Sequence, residues 1–323
     1  MIQSKPIQSS MTEASMTQPS TTQPNTIPPS SIRSRMLRPR PIPPGSLSLG
    51  GTVAVLVLLA FLAIPSVAAD IKAEPSLDTG FRYMYDLDFP QAHQVFLDWQ
   101  QQHPADPMGP VSDAAGVLFS ELNRLGVLEQ QFYEDDHAFD ARKKFTPDAG
   151  ARDRFNDALE VADSRSQALL AKDPKSRDGL FAMTLSSGLQ ADYAALIEKR
   201  NLASLHYTRD ATAWAQKLLA VDSSYYDAYV ATGVCNYIVG SMSAPMRWIL
   251  RLGGVAGDKQ QGIAELQRTA DHGHYLGPFA RILLAIAYVH DKDKPRARGL
   301  LVSLRDEFPD NPLFAREIAR LDQ

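Results

Sequence analysis

From Asp70 onward apolar residues recur at every third or fourth position, and no stretch alternates apolar with polar over a useful length. That spacing lines one face of an α-helix. Ala92, Val95, Phe96 and Trp99 share such a face. Phe155, Leu159, Ala162 and Leu169 share another, and Leu283, Ala287 and His290 follow the same period. The runs end at His103-Pro104, Asp173-Pro174 and Phe308-Pro309, as expected where proline forbids helix continuation. The pattern predicts an all-α chain.

The punctuation carries a second period. Gly80, Tyr83, Phe89, Ala92, Phe96 and Pro104 have the same order of small, aromatic and closing residues as Ala285, Tyr288, Ala297, Leu301, Leu304 and Pro309. Small residues in the eighth and twentieth places let two helices approach closely, large apolar residues fill the space around them, and the closing proline is expected to start the next helix at its first turn. The junctions also match, His103-Pro104-Ala105-Asp106-Pro107 against Phe308-Pro309-Asp310-Asn311-Pro312. Between these ends the pattern predicts helix 107–124 paired with 151–172, 176–199 with 206–220, and 225–239 with 259–271. Segment 241–257 interrupts the last pair, Ser223 replaces a closing proline, and a short cap is expected at 311–322.

This spacing resembles the tetratricopeptide repeat (TPR) family across most of residues 75–310. Segments ADYAALIEKR (191–200) and MRWILRLGG (246–254) are similar to those of uncharacterised exported repeat proteins of bacteria such as acidobacteria. The resemblance implies a right-handed superhelix of about five helical hairpins with irregular central repeats, acting as a protein-binding scaffold. It implies no reaction. Carried onto this chain, the repeat register places Phe81, Met84, Tyr85, Asp113, Met183, Ser187, Thr232, Asn236, Ile286 and His290 on the concave, partner-binding face. That mixture suits a mixed peptide or an apolar small ligand, and each residue is equally open to a core role.

The N-terminus has a different texture. Residues 1–45 are rich in Ser, Thr, Gln and Pro, with nine prolines, and are expected to be disordered. Thr52–Ile64 is an apolar run of 13 residues, preceded by Arg33, Arg35, Arg38 and Arg40 and followed by Pro65 and Val67-Ala68-Ala69. A membrane span needs about 20 apolar residues. The run fits the centre of a signal peptide spanning 46–69, with cleavage expected after Ala69. An uncleaved anchor over 47–69 is the alternative, and Met36 is an alternative start. The domain reading is therefore 1–45 extension, 46–69 export segment and 70–323 helical array, exported to the periplasm or beyond.

Charge narrows the partner. The chain has 323 residues, 22% charged and 44% apolar. Residues 70–323 carry 28 basic and 36 acidic side chains, a formal charge of −8. Nucleic acid is excluded as the main partner, because phosphate neutralisation needs a basic face. The single cysteine, Cys235, excludes an internal disulfide framework and reads as a small core residue.

The chain contains no H-E-x-x-H and no G-x-S-x-G, and Gly253–Lys259 lacks Walker spacing. Asp135, Asp136 and His137 read as a solvated acidic loop. His272-Gly273-His274 reads as a helix C-terminus with Gly273 at a left-handed cap. No cofactor or metal is expected. Arg247, Trp248 and Arg251 form a basic amphipathic turn that could dock on a membrane surface or a partner. The competing reading folds this insertion over the array with Trp248 in the core, and that reading is preferred. Glu198, Arg200 and His206 are the titratable groups around which an enzyme would have to be built. The leading expectation is a non-enzymatic exported scaffold for an envelope protein or peptide. The alternatives are a carrier of a hydrophobic small molecule and an enzyme without a recognisable motif.

Overall fold

Short polar side chains set where the helices begin. Ser76, Asp88, Asp148, Ser176, Asp258 and Asp293 each accept a hydrogen bond from the backbone N–H three residues on, satisfying one of the donors a helix start leaves unpaired. A computed structural model describes residues 76–130, 146–252 and 256–323. The chain divides into Met1–Asp70 and Ile71–Gln323, and the described residues lie in the second unit. The export segment, the 1–45 extension and the Asp135, Asp136, His137 cluster lie outside the described residues.

The described residues form α-helices and no strand. They are α1 (Leu77–Tyr85), α2 (Phe89–Gln102), α3 (Met108–Arg124), the short α4 (Val127–Gln130), α5 (Ala149–Lys172), α6 (Arg177–Asp192), α7 (Asn201–Val221), α8 (Tyr229–Ser241), α9 (Ala244–Leu252), α10 (Lys259–His272), α11 (Gly277–His290), α12 (Lys294–Glu307) and α13 (Pro312–Leu321). Their packing gives five hairpins: α1 with α2, α3 with α5, α6 with α7, α8 with α10, and α11 with α12. The second helix of each hairpin packs on the first helix of the next, and α13 caps the last. This is a TPR-like helical-repeat fold, with its units irregular in the middle of the chain.

The small residues do what their spacing predicts. Ala92 and Ala297 are fully buried. A Cβ at Gly80 would lie 2.3 Å from the Phe96 ring, so the phenyl group seats directly on α1. In the fourth hairpin the backbones themselves meet: a Cβ at Gly262 would lie 2.4 Å from the Tyr237 amide nitrogen and 2.7 Å from the Gly233 carbonyl.

Several boundaries differ from the sequence reading, and the helix expected over 206–220 begins earlier, at Asn201. Pro104 and Pro309 lie in turns, and the next helices start at Met108 and Pro312. Asp106 and Asn311 cap them there, accepting from the Met108 and Leu313 N–H groups at 2.8 and 2.9 Å. Gly273 has φ −64°, so it is no left-handed cap. It is glycine because a Cβ would meet the Thr269 carbonyl at 2.6 Å and an Asp227 carboxylate oxygen at 2.7 Å. The helix expected over 176–199 stops as an α-helix at Asp192 and continues as a π-turn, Tyr193–Ile197. The Glu198 N–H reaches back to the Tyr193 carbonyl and the Arg200 N–H to the Ala194 carbonyl, around Lys199 in the left-handed region (φ 56°).

The first hairpin packs against the last. Phe81 stacks on Tyr275 (4.9 Å between centroids), and Tyr85 lies 5.3 Å from Phe308. The Tyr85 hydroxyl donates to the Tyr275 carbonyl at 2.8 Å, and the Asn311 amide donates to the Tyr85 carbonyl at 2.8 Å. Asp78 pairs with His274 at 2.7 Å, and Arg316 of α13 pairs with Glu129 of α4. The segment that meets α1 is itself held by Asp227, a buried carboxylate accepting N–H groups of His274, Tyr275 and Leu276. Burial pushes the pKa of Asp227 up, and the three N–H groups oppose the shift.

Candidate functional site

An aromatic contact joins the first helices of the second and fifth hairpins. Phe119 of α3 meets Phe279 of α11 edge to face at 5.7 Å. Phe81, Met84, Tyr85, Asp113, Ser187 and Thr232 are buried, and Met183, Asn236 and Ile286 are half-buried. Asp113 accepts from or shares a proton with His93 Nδ1 at 2.6 Å, and burial raises its pKa against that contact. Asn236 donates to Glu265 at 3.0 Å, and the Thr232 hydroxyl donates to the Tyr229 carbonyl. Only His290 of the ten expected groove residues is exposed. Six of the ten positions are thus buried, three half-buried and one exposed.

The insertion behaves otherwise. Trp248 is 64% exposed and Met246 47%, which corrects the expectation that Trp248 folds into the core. The nine-residue helix α9 projects beside α8, whose Ile238 is also exposed. Arg247 ties it back by donating to the Gly240 carbonyl at 2.9 Å. The Arg251 side chain lies outside the described residues.

A cleft of about 510 Å³ opens between α5 and the α6–α7 junction. One wall is a stripe of α5 running from Arg152 through Phe155, Asn156, Leu159, Glu160 and Asp163 to Gln167. The other is Gln190, Tyr193, Ala194, Glu198, Arg200 and Tyr207. The π-turn matters here, because it carries Tyr193 and ends at Glu198. Glu198 sits between two arginines, 3.0 Å from Arg200 and 3.3 Å from Arg152. Tyr193 stacks on Phe155 at 4.9 Å. Its hydroxyl is buried without a hydrogen-bond partner among the described residues, and burial raises its pKa while Arg152 lowers it. Asp163, toward the other end, is pushed up by burial and lowered by a hydrogen bond from Ser186.

Of the three titratable candidates named from sequence, Glu198 and Arg200 thus share this cleft. His206 does not; it is exposed and pairs with Asp210 at 3.4 Å. Sequence reasoning missed Arg152, Phe155 and Tyr193. The signal was present as a polar stripe at helical spacing on α5, which reads equally as a solvated face. Burial raises the Cys235 thiol pKa, and no three His, Cys, Asp or Glu side chains among the described residues are grouped to hold a metal. Among the described residues no helix is long and apolar enough to cross a membrane.

No family model and no curated protein matches the chain. Among solved structures it is similar to a thermophilic TPR protein of Thermus thermophilus, at 14% identity, covering 76% of this chain and 98% of that one, with a TM-score of 0.38.

Proposed function

We propose that the protein is an exported, non-enzymatic TPR-like scaffold that binds an envelope protein or peptide. Export rests on the apolar run Thr52–Ile64 and its basic and small-residue flanks. The observation that carries the binding role is the exposure of large apolar side chains on α8 and on the α9 insertion: Ile238 is 48% exposed, Met246 47% and Trp248 64%. Trp and Met are favoured where proteins meet partners. A carrier of an apolar small molecule is less well supported, because the cleft beside α5 is lined mainly by charged and amide side chains.

Native mass spectrometry of the processed protein, purified gently from its own envelope, tests this reading. Added mass of tens of kilodaltons is expected, and it should be lost in the Met246→Ser, Trp248→Ser double variant. Added mass of a few hundred daltons, unaffected by that variant, would instead make the protein a carrier. Vesicle flotation of the same variant separates a protein partner from peripheral membrane contact.

A further inference from the structure

The cleft beside α5 has opposite charges at its two ends and neutral hydrogen-bonding groups between. Arg152 and Arg200 stand at one end, with exposed guanidinium groups that share the single carboxylate of Glu198. An arginine offers five N–H donors in a fork suited to carboxylates, so both retain donors for a second anion. Tyr193, 7% exposed and with a hydroxyl that has no hydrogen-bond partner among the described residues, lies at the same end. Glu160 and Asp163 stand two to three helical turns further along. Asn156, Ser164, Gln167 and Gln190 supply amide and hydroxyl groups in the middle and far part, over a floor of Phe155 and Leu159.

The helix rise of 1.5 Å per residue sets the separation of the two ends at about 12 Å from Arg152 to Glu160 and about 16 Å to Asp163. An extended peptide advances about 3.3 Å per residue, so four or five residues span that distance. A peptide also matches the middle of the cleft, because each of its N–H and C=O groups needs a partner once removed from water. A cavity of this size lies within the range that holds small ligands.

We infer that this cleft binds a short free peptide of four or five residues, its terminal carboxylate on Arg152 and Arg200 and its terminal ammonium facing Glu160 and Asp163. Glu198 is a positioning residue: it holds the two guanidinium groups together and competes with the ligand for them. The site lies on α5, α6 and α7 and stands independently of the α9 contact.

Calorimetry on the full chain with tetra-alanine as probe tests the assignment. Free tetra-alanine should bind. Amidation of its C-terminus should weaken binding tenfold or more, N-acetylation three- to tenfold, and shortening to dialanine tenfold or more. Arg152→Ala should reproduce the amidation loss, and the Glu160→Gln, Asp163→Asn double variant should remove the difference between free and acetylated peptide. Glu198→Gln should tighten the free peptide threefold or more and leave the amide unchanged, a response that a purely structural role for Glu198 would not give. Trp248→Ser should change none of these values, so loss of the scaffold partner and loss of peptide binding are told apart. Absence of tetra-alanine binding, or equal binding of the amide, overturns the site. Equal binding of acetylated and free peptide overturns recognition of both ends and points to the tail of a longer chain.

Discussion

The first and fifth hairpins and the third were built to the same plan and put to different uses. In the outer two, the turn between helices places Leu87 and Lys292 in the left-handed region (φ 64° and 60°), and Asp88 and Asp293 then cap the second helix. The third hairpin also has a left-handed turn residue, Lys199, but reaches it through a π-turn and has no side-chain cap at Arg200. The regular hairpins meet each other through Phe81 on Tyr275 and Tyr85 on Phe308. The irregular one turns Glu198, Arg200 and Tyr193 toward a cleft. Regularity serves packing here, and the departure from it sets polar side chains along a cleft.

This comparison can be broken at the closing contact. Phe308 is buried and faces Tyr85; Phe308→Ala should cost about 3–5 kcal/mol. Thermal unfolding should fall by about 2–4 °C per kcal/mol for a chain of this size. Retained stability would show that the two ends do not depend on each other.

A smaller loss is expected where backbones touch. Gly262→Ala should cost about 1–3 kcal/mol, because the new Cβ meets main-chain atoms that cannot swing away. Gly299→Ala on α12 is the internal control: nothing lies within 4 Å of its Cβ, so about 0.5–1 kcal/mol should be gained. Chemical denaturation of both variants checks the sign of each.

The pH response sharpens the picture further. Burial pushes Asp192 from 3.8 to about 7 and Glu317 from 4.5 to about 7. A carboxyl group with a raised folded pKa holds its proton more tightly in the native state. Its contribution is complete below the ordinary value and is lost as pH rises from about 4 to about 7. Melting scans at pH 5 and pH 8 should therefore differ less in the Asp192→Asn, Glu317→Gln double variant than in the parent. An unchanged difference would assign the pH response to other groups. An effect as small as that of Gly299→Ala is expected at Lys292→Gly, where relief of the left-handed backbone (φ 60°) should stabilise by about 0.5–1 kcal/mol.

Much of the fold was legible because helical packing leaves local traces. The Gly80–Ala92 and Ala285–Ala297 spacings place small residues where helices touch, and Ala92 and Ala297 are indeed fully buried. Hairpin pairing followed from chain order. The π-turn did not show, since ADYAALIEKR reads as ordinary helix until one backbone N–H takes a carbonyl five residues back. The exposure of Trp248 did not show either, because an amphipathic stripe has the same period whether it packs inward or faces water.

What the sequence by itself determined was the helical period and the pairing of helices into five hairpins, both carried by segments that follow one another along the chain. What only the tertiary structure decided was which faces are free. Phe81 meets Tyr275, and Tyr85 meets Phe308 and Asn311, across some two hundred residues of chain, and Arg152 meets Glu198 across two helices. Such contacts depend on the accumulated angles of every intervening helix pair, a quantity no local pattern encodes.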